Sequence, residues 1–179
     1  MREKTLESER VYEGRLVSLR KDRVMLPSGR ETTREVVEHG DCVAVVAVDS
    51  QDNVVLVRQF RMPVDRVLLE IPAGRIEPGE KPDESAQREL EEETGYVAGK
   101  MEQLGGFYSS PGYSTEFLHL FLATDLKSGP ARPDEDEIIE VAVTPLRQLP
   151  GLILTGEVCD AKSVAGLYTV FLAREEDKK

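Results

Sequence analysis

Apolar and polar positions divide the chain into a strand-rich N-terminal stretch and a longer mixed region. Val11 to Leu19 and Arg23 to Leu26 read as short strands. Pro27-Ser28-Gly29 is a turn signal, and Thr32 to Val37 reads as the returning strand. This predicts a small antiparallel sheet over residues 1–40, ahead of a main domain over 41–175. About 40 residues of two-sided strands bury too little surface to stand alone, so the sheet is expected to pack on the main domain or on a second chain. Residues 42–49 (CVAVVAVD) and 53–60 (NVVLVRQF) are Val-rich runs joined by Ser50-Gln51-Asp52, which predicts a hairpin. Val67 to Ile71 is a further strand, ending at Pro72-Ala73-Gly74. Residues 82–94 predict a helix: Pro82 suits its first turn, Asp83 and Glu84 favour that end electrostatically, and Gly95 suits its stop. Residues 104–108, 117–124 and 138–143 read as strands, and 145–154 and 161–174 as helices. In the last helix Val164, Leu167, Val170 and Phe171 fall at helical spacing, and the charged tail from Arg174 to Lys179 is expected to fray. Strands and helices mix without regular βαβ alternation, which argues for an α+β or a layered α/β/α domain with a mixed sheet.

Composition narrows the partners. The formal net charge of the 179 residues is -11, which leaves no surplus of Lys and Arg to neutralise a nucleic-acid backbone. Local basic groups could still clamp one small anion. No stretch approaches the roughly 18 apolar residues of a membrane span, and Met1-Arg2-Glu3-Lys4 leads into no apolar run. The only asparagine, Asn53, heads no glycosylation sequon. A cytoplasmic protein is the expectation. Cys42 and Cys159 match no metal-ligand spacing and are expected to be reduced, buried thiols.

The segment 77–93 carries eight acidic groups, Glu77, Glu80, Asp83, Glu84, Glu89, Glu91, Glu92 and Glu93, offset there only by Lys81 and Arg88. Glu89 and Glu93 share a helix face, with Glu92 three residues from Glu89. Like charges at such spacings destabilise a helix by roughly 0.2–0.5 kcal/mol per pair, and the helix dipole adds to the penalty at a C-terminus. A hard divalent cation resolves this conflict, because Mg²⁺ takes oxygen ligands from one or two carboxylates, water and substrate phosphate. Arg88 can pair with Glu92 at four-residue spacing and hold one carboxylate in place. Gly74 to Gly79 has the glycine spacing of a P-loop, but Glu80-Lys81-Pro82 follows where Lys and Ser or Thr belong, so that reading fails.

Written out, the stretch is Gly74, five residues, Glu80, seven residues, Arg88-Glu89-Leu90, one residue, Glu92-Glu93, one residue, Gly95-Tyr96. It resembles the signature of the Nudix hydrolases at eight of nine defined positions; Tyr96 stands where the family has a bulky aliphatic residue. The resemblance implies an α/β/α sandwich with a mixed sheet, whose loop-helix-loop binds metal, with Mg²⁺ the expected cation and Mn²⁺ another that could serve. By position, Glu89 and Glu93 would bridge metal, with Glu92 and the Ala73 carbonyl as further ligands. Gly74 would allow close approach, Arg88 would orient a glutamate, and Glu80 would pair with the loop. Leu90 and Ala86 would face the core. The implied chemistry is attack of water on phosphorus, assisted by a carboxylate base on a loop beyond the box. Glu135 and Glu137, within Asp134 to Glu137, are the two candidates for that base.

Pro111, sixteen residues after Gly95, resembles the marker of the ADP-ribose pyrophosphatases within this family. Arg34 to His39, Arg58-Gln59-Phe60-Arg61 and Leu69 to Gly74 also look like that branch, so the resemblance covers nearly the whole chain. It implies hydrolysis of ADP-ribose to AMP and ribose 5-phosphate. Arg34 and Arg61 would clamp phosphate or adenine, and Glu70 and Glu116 would bind ribose hydroxyls or metal, Glu116 being presented by the Pro111-Gly112 turn. Tyr108 and Phe107 could stack a base or pack in the core. In such relatives the N-terminal sheet is exchanged across a two-fold axis, so a homodimer is expected. Two rival readings remain: another nucleoside diphosphate derivative as substrate (a nucleotide sugar or a dinucleoside polyphosphate), or a non-catalytic ligand sensor on the same fold. A simple Ca²⁺-binding module is excluded, because the acidic runs lack the Asp-x-Asp-x-x-Gly loop of an EF-hand.

Overall fold

The computed structural model describes residues 1–132 and 138–176, which fall into two compact units. The first comprises Met1–Asp41 and Tyr108–Phe117. Its sheet is an antiparallel meander of β1 (Lys4–Glu13), β2 (Ser18–Met25) and β3 (Glu31–Glu38). The expected strand from Val11 to Leu19 is corrected, because the chain reverses within it and the Gly14 amide bonds to the Val17 carbonyl at 3.0 Å. The missed part of β1 is charged and lacks apolar alternation. It is held instead by backbone pairing and by cross-strand charge: Arg23 on β2 reaches Glu7 on β1 at 3.2 Å and Glu31 on β3 at 2.8 Å. Tyr108–Phe117 joins this unit through a parallel bridge between Val37 and Ser114.

The second unit comprises Cys42–Phe107 and Leu118–Lys179. Its strands are β4 (Cys42–Val48), β5 (Asn53–Arg61), β6 (Arg66–Glu70), β7 (Ala73–Arg75), β8 (Tyr96–Tyr108), β9 (Phe117–Ser128) and β10 (Ile139–Pro145). Its helices are α1 (Pro82–Thr94), α2 (Leu149–Thr155) and α3 (Ala161–Glu176). The sheet is mixed, in the order β10-β5-β4-β9-β8, with β4 and β9 parallel and β5 antiparallel to both β4 and β10. β4 is buried along its whole length, which is why its sequence runs apolar without alternation. Ala44, Val46 and Val48 face a core shared with Leu167 and Val170 of α3, while Val43, Val45 and Ala47 face a second core with Ala86 and Leu90 of α1. Helices on both faces of a mixed sheet give the α/β/α sandwich.

The expected hairpin of β4 and β5 exists but is short. The two strands pair only at Ala47↔Val55 and Val48↔Val54 and then diverge. Beyond that fork β5 pairs with β6, while β4 pairs with β7. Three further expectations are corrected. The helix expected over 145–154 begins as the last strand residue and a 3-10 turn, with α2 proper starting at Leu149. Arg174 does not fray: it lies in α3, and its guanidinium is bonded to Asp52. Cys159 is exposed, because it lies in the connection before α3 and not on an inward face; only Cys42 is buried. Among the described residues no helix is long and apolar enough to cross a membrane.

Candidate functional site

Helix α1 is set by its ends. Pro82 occupies its first turn, the Glu84 carboxylate accepts the Lys81 amide at 3.2 Å, and Gly95 closes it with φ at 74° and its amide on the Glu91 carbonyl. Ala86 and Leu90 anchor one face in the core, each fully buried. The preceding loop folds back on the helix: the Glu77 amide donates to Glu80 at 3.1 Å, and the Ser85 hydroxyl donates to the Arg75 carbonyl at 3.2 Å.

Arg88 organises the acidic groups. Its Nε and Nη2 donate to the two oxygens of Glu80 at 2.9 and 3.0 Å. Nη1 donates to Glu89 at 2.8 Å and to Glu92 at 2.9 Å, and Nη2 also reaches the Arg75 carbonyl and the Ser85 hydroxyl. One guanidinium thus offsets the repulsion that the sequence builds into this helix. The hydrogen bond from Arg88 is the main cause that holds the Glu80 carboxyl down at about 2, and the same bond chiefly raises Arg88 above the usual arginine value.

The other carboxylates meet the backbone of β7. Glu93 is 4% exposed and accepts the Ala73 amide at 3.2 Å. The Glu89 carboxylate lies over Gly74, so close that a Cβ there would fall within 3.0 Å of Cδ, Oε1 and Oε2. Glu89 and Glu93 thus set carboxylate oxygens against the Ala73–Gly74 backbone, and Glu92 is held on the same Arg88 nitrogen as Glu89, a set of hard oxygen donors. Such a set fits a hard divalent cation and does not suit a thiolate- or imidazole-seeking metal.

Behind β7 lies a buried ion cluster. Glu70, 2% exposed, accepts Arg61 Nη2 at 2.6 Å and Lys162 Nζ at 2.7 Å. Lys162 also pairs with Asp160 at 2.9 Å. Burial alone would raise the Glu70 pKa, but the bonds and charges of Arg61 and Lys162 bring it below the ordinary glutamate value. Burial would likewise lower Arg61, yet the Glu70 bonds and the fields of Glu70, Glu93 and Asp160 raise it. Arg61 is therefore electrostatically coupled to the acidic helix.

The structure brings Arg61, Glu70, Ala73, Arg88, Glu89, Glu92 and Glu93 into the second unit around β7. Arg34, Pro111 and Glu116 belong to the first unit. There Arg34 pairs with Glu3 at 2.7 Å, and Pro111 starts the turn before Glu116, whose carboxylate stands 3.8 Å from His39 Nδ1. Tyr108 packs edge-on against Phe117 with ring centroids 5.0 Å apart, and Phe107 packs against the α3-side core. Glu135 and Glu137 lie outside the described residues. Sequence reasoning missed Asp160, Lys162 and Ser163. The Asp-x-x-Ser spacing ahead of an apolar helix could have marked the start of α3, where the Ser163 amide does donate to Asp160 at 3.1 Å. No local signal ties Lys162 to a glutamate 92 positions earlier.

The chain belongs to the NUDIX family of pyrophosphate-splitting hydrolases, its residues 38–167 matching the NUDIX domain. Residues 3–37 match the nucleoside diphosphate sugar hydrolase N-terminal domain. An ADP-ribose pyrophosphatase of Bacillus subtilis (strain 168) is 42% identical over 91% of this chain and 89% of its own. A methanol dehydrogenase activator of Bacillus methanolicus is also 42% identical, over 90% of this chain and 89% of its own. A crystal structure of an ADP compounds hydrolase superposes with a TM-score of 0.87 at 26% identity, covering 99% of this chain and 95% of that one. Members of the family generally use divalent cations.

Proposed function

We propose that the protein hydrolyses the pyrophosphate bond of ADP-ribose, giving AMP and ribose 5-phosphate, with Mg²⁺ (or Mn²⁺) held by Glu89, Glu92, Glu93 and the Ala73 carbonyl. The observation that carries this reading is the approach of Glu89 and Glu93 to the Ala73–Gly74 backbone, with Arg88 bonded to Glu89 and Glu92. Likeness to the B. subtilis pyrophosphatase supports the choice of ADP-ribose. When bound, the cation neutralises charge on the diphosphate and acidifies the attacking water.

The protein's own groups set the rest. Arg88 holds Glu89 and Glu92 in position. Arg61, bonded to Glu70, is proposed to clamp phosphate or adenine; Arg34 is proposed for the same work, and Glu116 for ribose hydroxyls or metal, on the sequence resemblance alone. Water attacks one phosphorus, the bond from that phosphorus to the bridging oxygen breaks, and the bridging oxygen leaves on the other phosphate. Glu135 or Glu137 accepts the proton of the water. The enzyme is proposed to act in the cytoplasm as a homodimer. Every residue of β1 is exposed in the single chain, including Val11 and Tyr12, which supports burial of that strand by a second copy. A nucleoside diphosphate sugar as the preferred substrate is the second reading, favoured by the match of residues 3–37.

A hydrolysis panel of ADP-ribose, GDP-mannose and a dinucleoside polyphosphate with Mg²⁺ separates the two. The expected result is the highest kcat/KM on ADP-ribose. Equal or faster cleavage of GDP-mannose would reject the substrate choice. In the same panel Glu93→Gln is expected to lose turnover by orders of magnitude while staying folded, and wild-type turnover would discard the metal assignment.

A further inference from the structure

The segment Glu70–Gly74 changes side as it runs. Ile71 is buried in the core shared with α3, whereas Ile76, just after the segment, packs in the core shared with α1. It passes through the fork where β4 and β5 diverge, and each of its residues is tied. The Glu70 carboxylate is held by Lys162 and Arg61. The Ile71 amide donates to the fully buried Ser163 hydroxyl at 2.9 Å. The Pro72 carbonyl accepts the Val45 amide at 2.9 Å, and the Ala73 amide donates to Glu93 at 3.2 Å. Gly74 lies under the Glu89 carboxylate. Lys162 and Ser163 at the start of α3 supply the first two ties, with Arg61 of β5 also on Glu70, and the last two come from α1. Helix α3 presses closely on the segment: a Cβ on Gly166 would meet Ile71 Cδ1 at 3.0 Å.

We propose that Lys162 and Ser163 are positioning residues for the metal site: from the opposite face of the sheet they fix the height of the Glu70–Gly74 strap, and so the spacing of Ala73 from Glu93 and of Gly74 from Glu89. The inference rests on the metal reading given above. Lys162 is suited to this work, because it bridges Glu70 on the strap and Asp160 at the helix start, with only 16% of its side chain exposed. Its charge is already spent on these partners, so its contribution is to geometry and not to substrate contact. Groups that orient metal ligands are worth about 10–100-fold in metal affinity when removed.

The test is direct Mn²⁺ binding, read by electron paramagnetic resonance of the free ion, alongside kcat and KM for ADP-ribose. Lys162→Met is expected to weaken Mn²⁺ binding about tenfold and to lower kcat with little change in KM, and Lys162→Arg to recover most of both. Ser163→Ala, which leaves every ion pair in place, is expected to act in the same direction. It carries the test alone if Lys162→Met does not fold. Glu93→Gln, run in parallel, should abolish binding. Mn²⁺ affinity within twofold of wild type in a folded Lys162→Met or Ser163→Ala protein, with Glu93→Gln inactive for binding, overturns the positioning role and leaves the metal reading standing. Unchanged binding in Glu93→Gln overturns both.

Discussion

Replacing Gly74 by Ala separates the site from the fold. The added Cβ would lie within 3.0 Å of three carboxyl atoms of Glu89. Ordinary contact is about 3.5 Å, so the carboxylate must retreat by about 1 Å or more. It can do so, because it is the far end of a flexible side chain, and Gly74 sits in β7 outside the positive-φ region, where alanine is tolerated. Loss of glycine freedom in the unfolded chain even favours the variant by about 0.4–1 kcal/mol, so the net change in stability should stay within about 1 kcal/mol. Activity should respond differently. A misplacement of about 1 Å in a catalytic array costs about 100-fold, or about 2.7 kcal/mol of transition-state stabilisation. Both products of ADP-ribose cleavage are phosphate monoesters, so added alkaline phosphatase releases inorganic phosphate only after the pyrophosphate bond is cut. That assay gives kcat/KM, and urea denaturation gives stability. Near-wild-type kcat/KM in a folded Gly74→Ala protein would refute the claim that Glu89 must lie over the Gly74 backbone. A loss of several kcal/mol of stability would refute the premise that its carboxylate can move.

Two further outcomes follow from the same groups. Glu80 is held at about 2 against an ordinary 4.5. Its contribution is therefore complete above pH 4.5 and fades as pH falls toward 2; Glu80→Gln should cost about 1–2 kcal/mol at pH 7, after allowing for solvent screening, and the difference from wild type should shrink by pH 3. A gap in urea stability that is the same at pH 7 and pH 3 would show that Arg88 does not favour the ionised form of Glu80. Of Glu135→Gln and Glu137→Gln, one should lower kcat by about 100-fold or more and flatten the acid limb of the pH–rate profile, while the other changes little. Equal, mild effects would place the base elsewhere.

The legible parts of this fold are those in which one local cause dominates. Pro82 and Gly95 fix both ends of α1, and the unbroken apolar run of Cys42–Val48 shows that β4 is covered on both faces. The illegible parts depend on distant partners. β7 is Ala-Gly-Arg, with no strand propensity of its own; it is extended because β4 offers it a ladder where β5 has turned away. β1 is charged and fully exposed, and only pairing with β2 makes it a strand. β8 begins at Tyr96, well before the expected 104: Gly99 and Lys100 interrupt the apolar pattern, yet the strand runs through them to Tyr108.

The same division runs through the site. Glu89, Glu92 and Glu93 stand out in the sequence because their crowding is unfavourable without a counter-charge, and Arg88 shows where part of that counter-charge resides. The opposite half of the site is backbone, and backbone position leaves no mark in composition. Ala73 and Gly74 are placed by Glu70 and Ile71, whose holders, Lys162 and Ser163, lie about half the chain away. Glu70 shows why such a residue is hard to interpret from sequence. As a glutamate just before the acidic-helix loop it reads as a ligand or a ribose acceptor, and nothing local in the sequence shows that its carboxylate is buried and bonded to Arg61 and Lys162. A buried carboxylate with two cations is strongly destabilising when one partner is removed. The strap therefore cannot shift without breaking a favourable cluster, and that makes its position a fixed reference against which α1 aligns its carboxylates.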